Sequence, residues 1–417
     1  MDLLVSSLAL VISLAIWPGS DPFELPKLIA ASILLIATAT YRLSRLARRG
    51  AVVVANTSAR QKAKLSRFLP SISLLLTYIL SIVANGANRT SGLGSEASAD
   101  GLVALLIGLS TIFLVAGTNK KSILFTWLIG CTIAALYGII QRLGLDPIPW
   151  QGENLSALSY RVFGTLGNPS FLAMLLSMAI PIGLVLVSEL QSRRRTLAIV
   201  ATLIIAFTLP LTMSRIGIIA GTAGIVGVWI WSKNKHLPVM VATCLCLLIG
   251  FLTSGIGAPE SATGRFTDLG SPTRGSVAVR VELYKAGIEA AMAKPLLGWG
   301  PGNTTKALRQ SENSTLTDSQ RNNPSVHNLL LDALVQRGIL GLFATIWFWV
   351  AAAQVIYTSK EKLVRVGIGL ALIAYTLNSL VGFSTVGPWL SICLLLGLAM
   401  ANTDAGRVAV ARTREEA

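Results

Sequence analysis

The sequence predicts an all-α polytopic membrane protein with about 12 transmembrane helices and a large helical loop on the outer side. Three observations predict it. The 417 residues are 53% hydrophobic and only 13% charged, with a mean hydropathy of +0.66. A soluble chain needs roughly 25% charged residues to cover its surface. The apolar residues come in long blocks, the mark of repeated membrane crossing. The basic residues behind the net charge of +16 sit between those blocks, as membrane topology demands. A soluble enzyme, a nucleic-acid-binding domain and a secreted disulfide scaffold are excluded on the same grounds.

Twelve apolar segments run in order at 3–17, 25–41, 69–86, 101–118, 122–141, 170–188, 196–213, 216–231, 237–255, 339–357, 366–383 and 388–401. Several fall short of the ~20 residues of a full span, and flanking residues extend them. The first lacks a basic leader and is followed by eleven more, so it reads as a span, not a cleaved signal. The connection 42–68 holds Arg42, Arg45, Arg48, Arg49, Arg60, Lys62, Lys64 and Arg67. Every other even-numbered connection is also basic: Lys120 and Lys121; Arg193, Arg194 and Arg195; Lys233 and Lys235; Lys360, Lys362 and Arg365. The tail adds Arg407, Arg412 and Arg414. This bias places both termini in the cytoplasm. The chain divides into 1–255 (spans one to nine), 256–338 (the outer loop region), 339–403 (spans ten to twelve) and 404–417 (a short basic cytoplasmic tail). No internal repeat is present, which argues against a transporter of two inverted halves. Cys131, Cys244, Cys246 and Cys393 lie in apolar blocks without zinc spacing, so they read as packing residues.

Candidate chemistry is confined to the outer face. His236 falls on the inner side, leaving His327 as the outer imidazole. It lies in NNPSVHNLLLDALVQRGILGL (322–342). Pro324 and a Ser325 cap predict a helix with His327 in its first turn, Leu331 and Leu334 on the same face, and Gly338 closing or bending it. The positive end of a helix dipole keeps such an imidazole neutral near pH 7, able to accept a proton. Arg280 opens RVELYKAGIEAAMAKPLLGWGPGN (280–303), with Tyr284 one turn on. Arg215 sits in the turn LTMSRIGIIAG, and Arg161 in SYRVFGTLGNPSF (159–171). A guanidinium grips phosphate oxygens with paired donors. Taken singly, each arginine reads as an interfacial snorkeller and His327 as a surface residue; together they suit an anionic lipid-linked substrate. Asp332 lies five residues from His327, about 140° around a helix, and does not orient the imidazole. No D-x-D pair, G-x-S-x-G, HExxH or Walker motif occurs, and GWGPGN reads as a tight turn.

The pieces FELPKL (23–28), RVFGTLGNPSFLA (161–173), SRIG (214–217), RVELYKAGIEA leading to PLLGWGPGN (295–303), and HNLLLDALVQRGILGL (327–342) occur in this order. In them the chain resembles the O-antigen ligase/polymerase superfamily, most closely its O-antigen ligases. The resemblance implies a GT-C-like membrane glycosyltransferase of the bacterial inner membrane, metal-independent and inverting, without a cofactor. It implies transfer of a glycan from undecaprenyl diphosphate to a sugar hydroxyl of lipid A–core at the periplasmic face. It makes His327 the general base and Arg215 and Arg280 the diphosphate clamp, with Arg161, Tyr284 and Asn328 as substrate contacts. A polymerase of the same superfamily is the alternative. A protein-glycan ligase fits less well with a chain that ends in a short tail. A small-anion transporter fits less well still, because the spans hold almost no ionisable residues.

Overall fold

The computed structural model describes residues 2–17, 22–48, 68–95, 101–116, 118–148, 150, 160–232, 236–256, 275–311 and 315–400. Most of the basic 42–68 connection, residues 257–274 and the 404–417 tail lie outside them. Each of the twelve apolar segments coincides with a helix. Eight are long and apolar enough to cross a membrane. They are α2 (Glu24–Arg48), α6 (Lys120–Arg142), α7 (Pro169–Glu189), α8 (Ser192–Leu211), α9 (Arg215–Ser232), α10 (Leu237–Ser254), α14 (Leu329–Tyr357) and α15 (Gly369–Leu380), the last preceded by a π-helical turn at Leu363–Ile368. Four more are apolar but shorter: α1 (Asp2–Leu14), α3 (Leu69–Asn85), α5 (Leu102–Val115) and α16 (Val386–Met400). Short helices at Arg89–Leu93 (α4), Thr304–Arg309 (α12) and Asp318–Arg321 (α13), a 3-10 turn at Gly164–Leu166 and the longer α11 (Gly275–Ala293) complete the described elements.

Helix α7 is the axis of the bundle, with 94% of its apolar window buried. Its start follows from local chemistry. The Asn168 side chain accepts from the Ser170 amide at 2.9 Å, and Pro169 fills the first helical position, where no amide donor is needed. Helix α9 packs against it through Gly217, where an added Cβ would sit 2.5 Å from that of Ala173. Small residues of this kind let membrane helices approach closely. The perimeter is apolar instead: Ile33, Ile36, Ile230, Leu252 and Phe343 are each more than 60% exposed. Such a surface matches lipid, not water.

The two ends of the bundle differ. At one end the basic connections meet: Lys120 pairs with Glu361 at 2.9 Å, Lys121 with Glu189 at 2.8 Å, and Lys362 donates to Ser188 at 2.8 Å. At the other end the family-like pieces meet. Lys27, fully buried, donates to the carbonyls of Phe23 (2.7 Å) and Thr165 (2.8 Å), and Glu24 accepts from the Val386 amide at 2.7 Å. FELPKL is thereby tied to the 161–171 segment and to the start of α16.

The described part of the 256–338 region carries its own small core of Leu283, Ala286, Ala290, Trp299, Leu308, Val326 and Val335, among others. It joins the bundle at a kink within α14. Gly338 has φ 66° and ψ −165°, a backbone conformation open essentially to glycine. The kink breaks the ladder of helical hydrogen bonds, and the GWGPGN turn replaces them. Trp299 and Gly300 donate to the carbonyls of Val335 (2.9 Å) and Gln336 (2.8 Å), and Ile339 donates to Pro295 (2.8 Å). The expected bend at Gly338 is present. The kink falls at the expected start of the 339–357 span, with a further helical stretch from Leu329 before it.

Candidate active site

Two expectations about the His327 segment need correction. His327 is not in the first turn of a helix, and Ser325 is not the cap. The cap is Asn328, whose side chain accepts from the amides of Leu330 and Leu331 at 3.0 and 3.1 Å. His327 precedes it with φ 61°. Non-glycine residues rarely hold this conformation unless their surroundings enforce it. The enforcing contacts are polar. The His327 amide donates to Ser325 Oγ at 2.8 Å, Ser325 Oγ donates to Asp332, and the Val326 amide donates to Asp332 Oδ1 at 2.9 Å. Tyr284 reaches across from α11 to donate to the His327 carbonyl at 3.3 Å. Asp332 therefore shapes the loop's backbone.

The imidazole lines a cavity of about 300 Å³. Arg161, Arg215 and Arg280 line it too, with Asn168, Ser170 and Phe383. Three elements far apart in sequence supply the cations. Arg215 is the first residue of α9, just past the turn where it is expected, and lies two residues after Met213, another non-glycine residue at positive φ (51°). Arg280 lies in the second turn of α11, which starts five residues earlier than expected. Arg161 is held by its Nε bond to the Thr212 carbonyl at 3.0 Å, which ties its loop to the α8–α9 turn. Asn328 and Tyr284 do not line the cavity; the bonds above, and one from Asn328 Nδ2 to the Leu380 carbonyl at 3.0 Å, use them to hold the loop in place.

Among the described residues, no carboxylate lines the cavity. Glu282 pairs with Lys285 at 2.7 Å, and Glu289 accepts from Ser311. The electrostatics follow. Burial, reinforced by the nearby Arg280 guanidinium, lowers the His327 pKa to about 4. The imidazole is neutral at pH 7 as expected, but burial is the main cause, not a helix dipole. Burial also lowers the pKa of Arg280; Tyr284 opposes the shift and Arg215 adds to it. The edge of this charged chamber is apolar: the His327 and Phe383 rings lie 5.1 Å apart between centroids.

A chamber of three guanidiniums and one neutral imidazole, at the mouth of an apolar bundle, is built for an anionic ligand with a proton to give up. Residues 200–346 match the family model described as O-antigen ligase. In that stretch the chain is similar to the O-antigen ligase family. No curated protein matches it. The matched stretch runs from α8 into α14 and includes Arg215, Arg280 and His327; Arg161 lies outside it. Members of the family are glycosyltransferase-like membrane enzymes. Among the described residues, no group of three or more His, Cys, Asp or Glu side chains is placed to hold a metal ion. Residue-by-residue reading does not reach the other wall residues, among them Asn168, Ser170, Met213 and Phe383. Asn168 and Ser170 lay in the GNPSF piece but were not singled out. Met213 and Phe383 carried no sequence signal.

Proposed function

We propose that the chain is a metal-independent inverting glycosyltransferase of the O-antigen ligase type. It transfers a glycan from undecaprenyl diphosphate to a sugar hydroxyl of lipid A–core at the periplasmic face of the inner membrane. The observation that carries this reading is the convergence of Arg161, Arg215, Arg280 and neutral His327 on one cavity. Arg215 and Arg280 hold the diphosphate, and His327 accepts the proton of the acceptor hydroxyl. The hydroxyl oxygen attacks the anomeric carbon as the bond to the diphosphate oxygen breaks. That oxygen leaves with the electron pair, and its growing charge falls between two guanidiniums in a low-dielectric site. A positioned base contributes about 10²–10⁴-fold. The remaining elements fit the same scheme: about twelve spans in a GT-C-like arrangement, cytoplasmic termini, and a loop region carrying the site.

The lipopolysaccharide profile of a deletion strain tests it. A ligase predicts loss of all long chains with lipid-linked polymer accumulating. A core carrying a single repeat unit would assign the chain to polymerisation instead, and an unchanged profile would remove both activities.

A further inference from the structure

A second cavity, of about 110 Å³, lies beside the first and shares Phe383 with it. Helices α3, α5, α14, α15 and α16 enclose it, and its walls include the rings of Tyr78, Trp349, Tyr375 and Trp389. Its one cation is Arg337, only 6% exposed. The guanidinium carbon stands 4.3 Å from the centre of the Tyr78 ring, and one terminal nitrogen donates to Thr345 Oγ1 at 3.0 Å. The third nitrogen, Nε, is buried and has no hydrogen-bond partner. Asp332 also lines the cavity, but its carboxylate takes the Ser325 hydroxyl and the Val326 amide. Among the described residues no ion pair includes Arg337.

A guanidinium stays charged at every accessible pH. Burying one without a counter-charge is costly, and an orphaned N–H adds to the cost. Chains retain such groups where a ligand completes them. We infer that this cavity binds an oxyanion, a carboxylate or phosphate, with Arg337 as its counter-charge and Thr345 beside it. The oxyanion meets the free Nε and the adjacent terminal nitrogen in the paired geometry that guanidinium favours. A single water occupies about 10–15 Å³ by the same measure, so 110 Å³ accommodates the anionic group and part of a ring. The aromatic walls suit the apolar face of a sugar and make an acidic saccharide the favoured carrier. That choice of carrier rests on the glycan-transfer reading; anion binding itself does not. An anionic lipid headgroup presents the same chemistry.

Purified full-length protein in phosphatidylcholine nanodiscs, without donor lipid, is titrated with methyl glucuronide and with the neutral methyl glucoside. Trp349 and Trp389 in the wall serve as fluorescence reporters. The acid is expected to bind at least about tenfold more tightly than the neutral glycoside. Arg337→Met should abolish that preference in the signal of the wall tryptophans, and Arg337→Lys should keep part of it. Equal binding of acid and neutral glycosides, absence of saturable binding, or a preference that survives Arg337→Met would overturn the inference. Should Arg337→Met fail to fold, full acid preference in Arg337→Lys would overturn it equally, because an ammonium cannot pair two donors with one oxyanion. Repeating the titration in phosphatidylglycerol nanodiscs separates the carriers: competition by the lipid assigns the site to a headgroup, and unchanged binding to a glycan. An unchanged lipopolysaccharide profile in the deletion strain would remove the glycosyltransferase reading and leave the anion site intact.

Discussion

His327 shows how one residue's chemistry depends on contacts its neighbours make. Its backbone is held at φ 61° by the Ser325–Asp332 relay and by Tyr284, and its ring is kept neutral by burial and by Arg280. A pKa near 4 makes a weak base in the free protein. On the proposed reading, an anionic diphosphate seated against Arg280 would cancel part of that repulsion and raise the pKa. The sign is testable. Protonation removes the acceptor lone pair, so activity falls as pH falls. In kcat/KM, which reports the free enzyme, the acid limb is expected below about pH 5, whereas in kcat it should lie at higher pH. Coincident limbs, measured on the same lipid-linked donor, would remove the coupling between Arg280 and His327.

Among the elements, α14 and the strap that crosses it matter most. Gly338 permits the kink, and PLLGWGPGN satisfies the groups the kink exposes. An added Cβ at Gly338 would lie 2.3 Å from the backbone of Leu296. Gly338→Ala is therefore expected to destabilise the protein by about 2–3 kcal/mol or more, through strain at positive φ together with the clash. Gly92→Ala in α4, where a Cβ meets nothing within 4 Å, is the control and should be neutral. Thermal unfolding in detergent reads both; equal midpoints would contradict the account of the strap. This element also marks the limit of what sequence conveys. Gly338 was legible as a bend, because glycine in an apolar helix signals one. The helix start is hidden because Pro324 and Ser325 imitate a cap, while the true cap, Asn328, stands three residues beyond Ser325. The apposition of Phe383 with His327, and the burial of Lys27 and Arg337, depend on non-local packing that no local pattern encodes.

For the molecule as a whole, the distribution of charge fixes the expected orientation. Lys120, Lys121, Lys362 and their partners gather at one end, whereas the arginine–histidine cavity is built from connections at the other. In a bacterial inner membrane the basic end faces the cytoplasm. Cysteine labelling checks this. Ser319→Cys in the loop region should react from outside intact spheroplasts, and Lys360→Cys only after permeabilisation; the reverse pattern would put the cavity on the wrong side for a periplasmic acceptor. The central claim is that the cavity binds a lipid diphosphate and that His327 activates the acceptor within it. Single-turnover transfer by His327→Ala, with donor binding measured on the same preparation, tests it most directly. The account predicts donor bound as in the unaltered protein and glycan transferred at least ~100-fold more slowly. Lost donor binding with normal transfer of whatever donor remains bound would contradict it and reduce His327 to a positioning group.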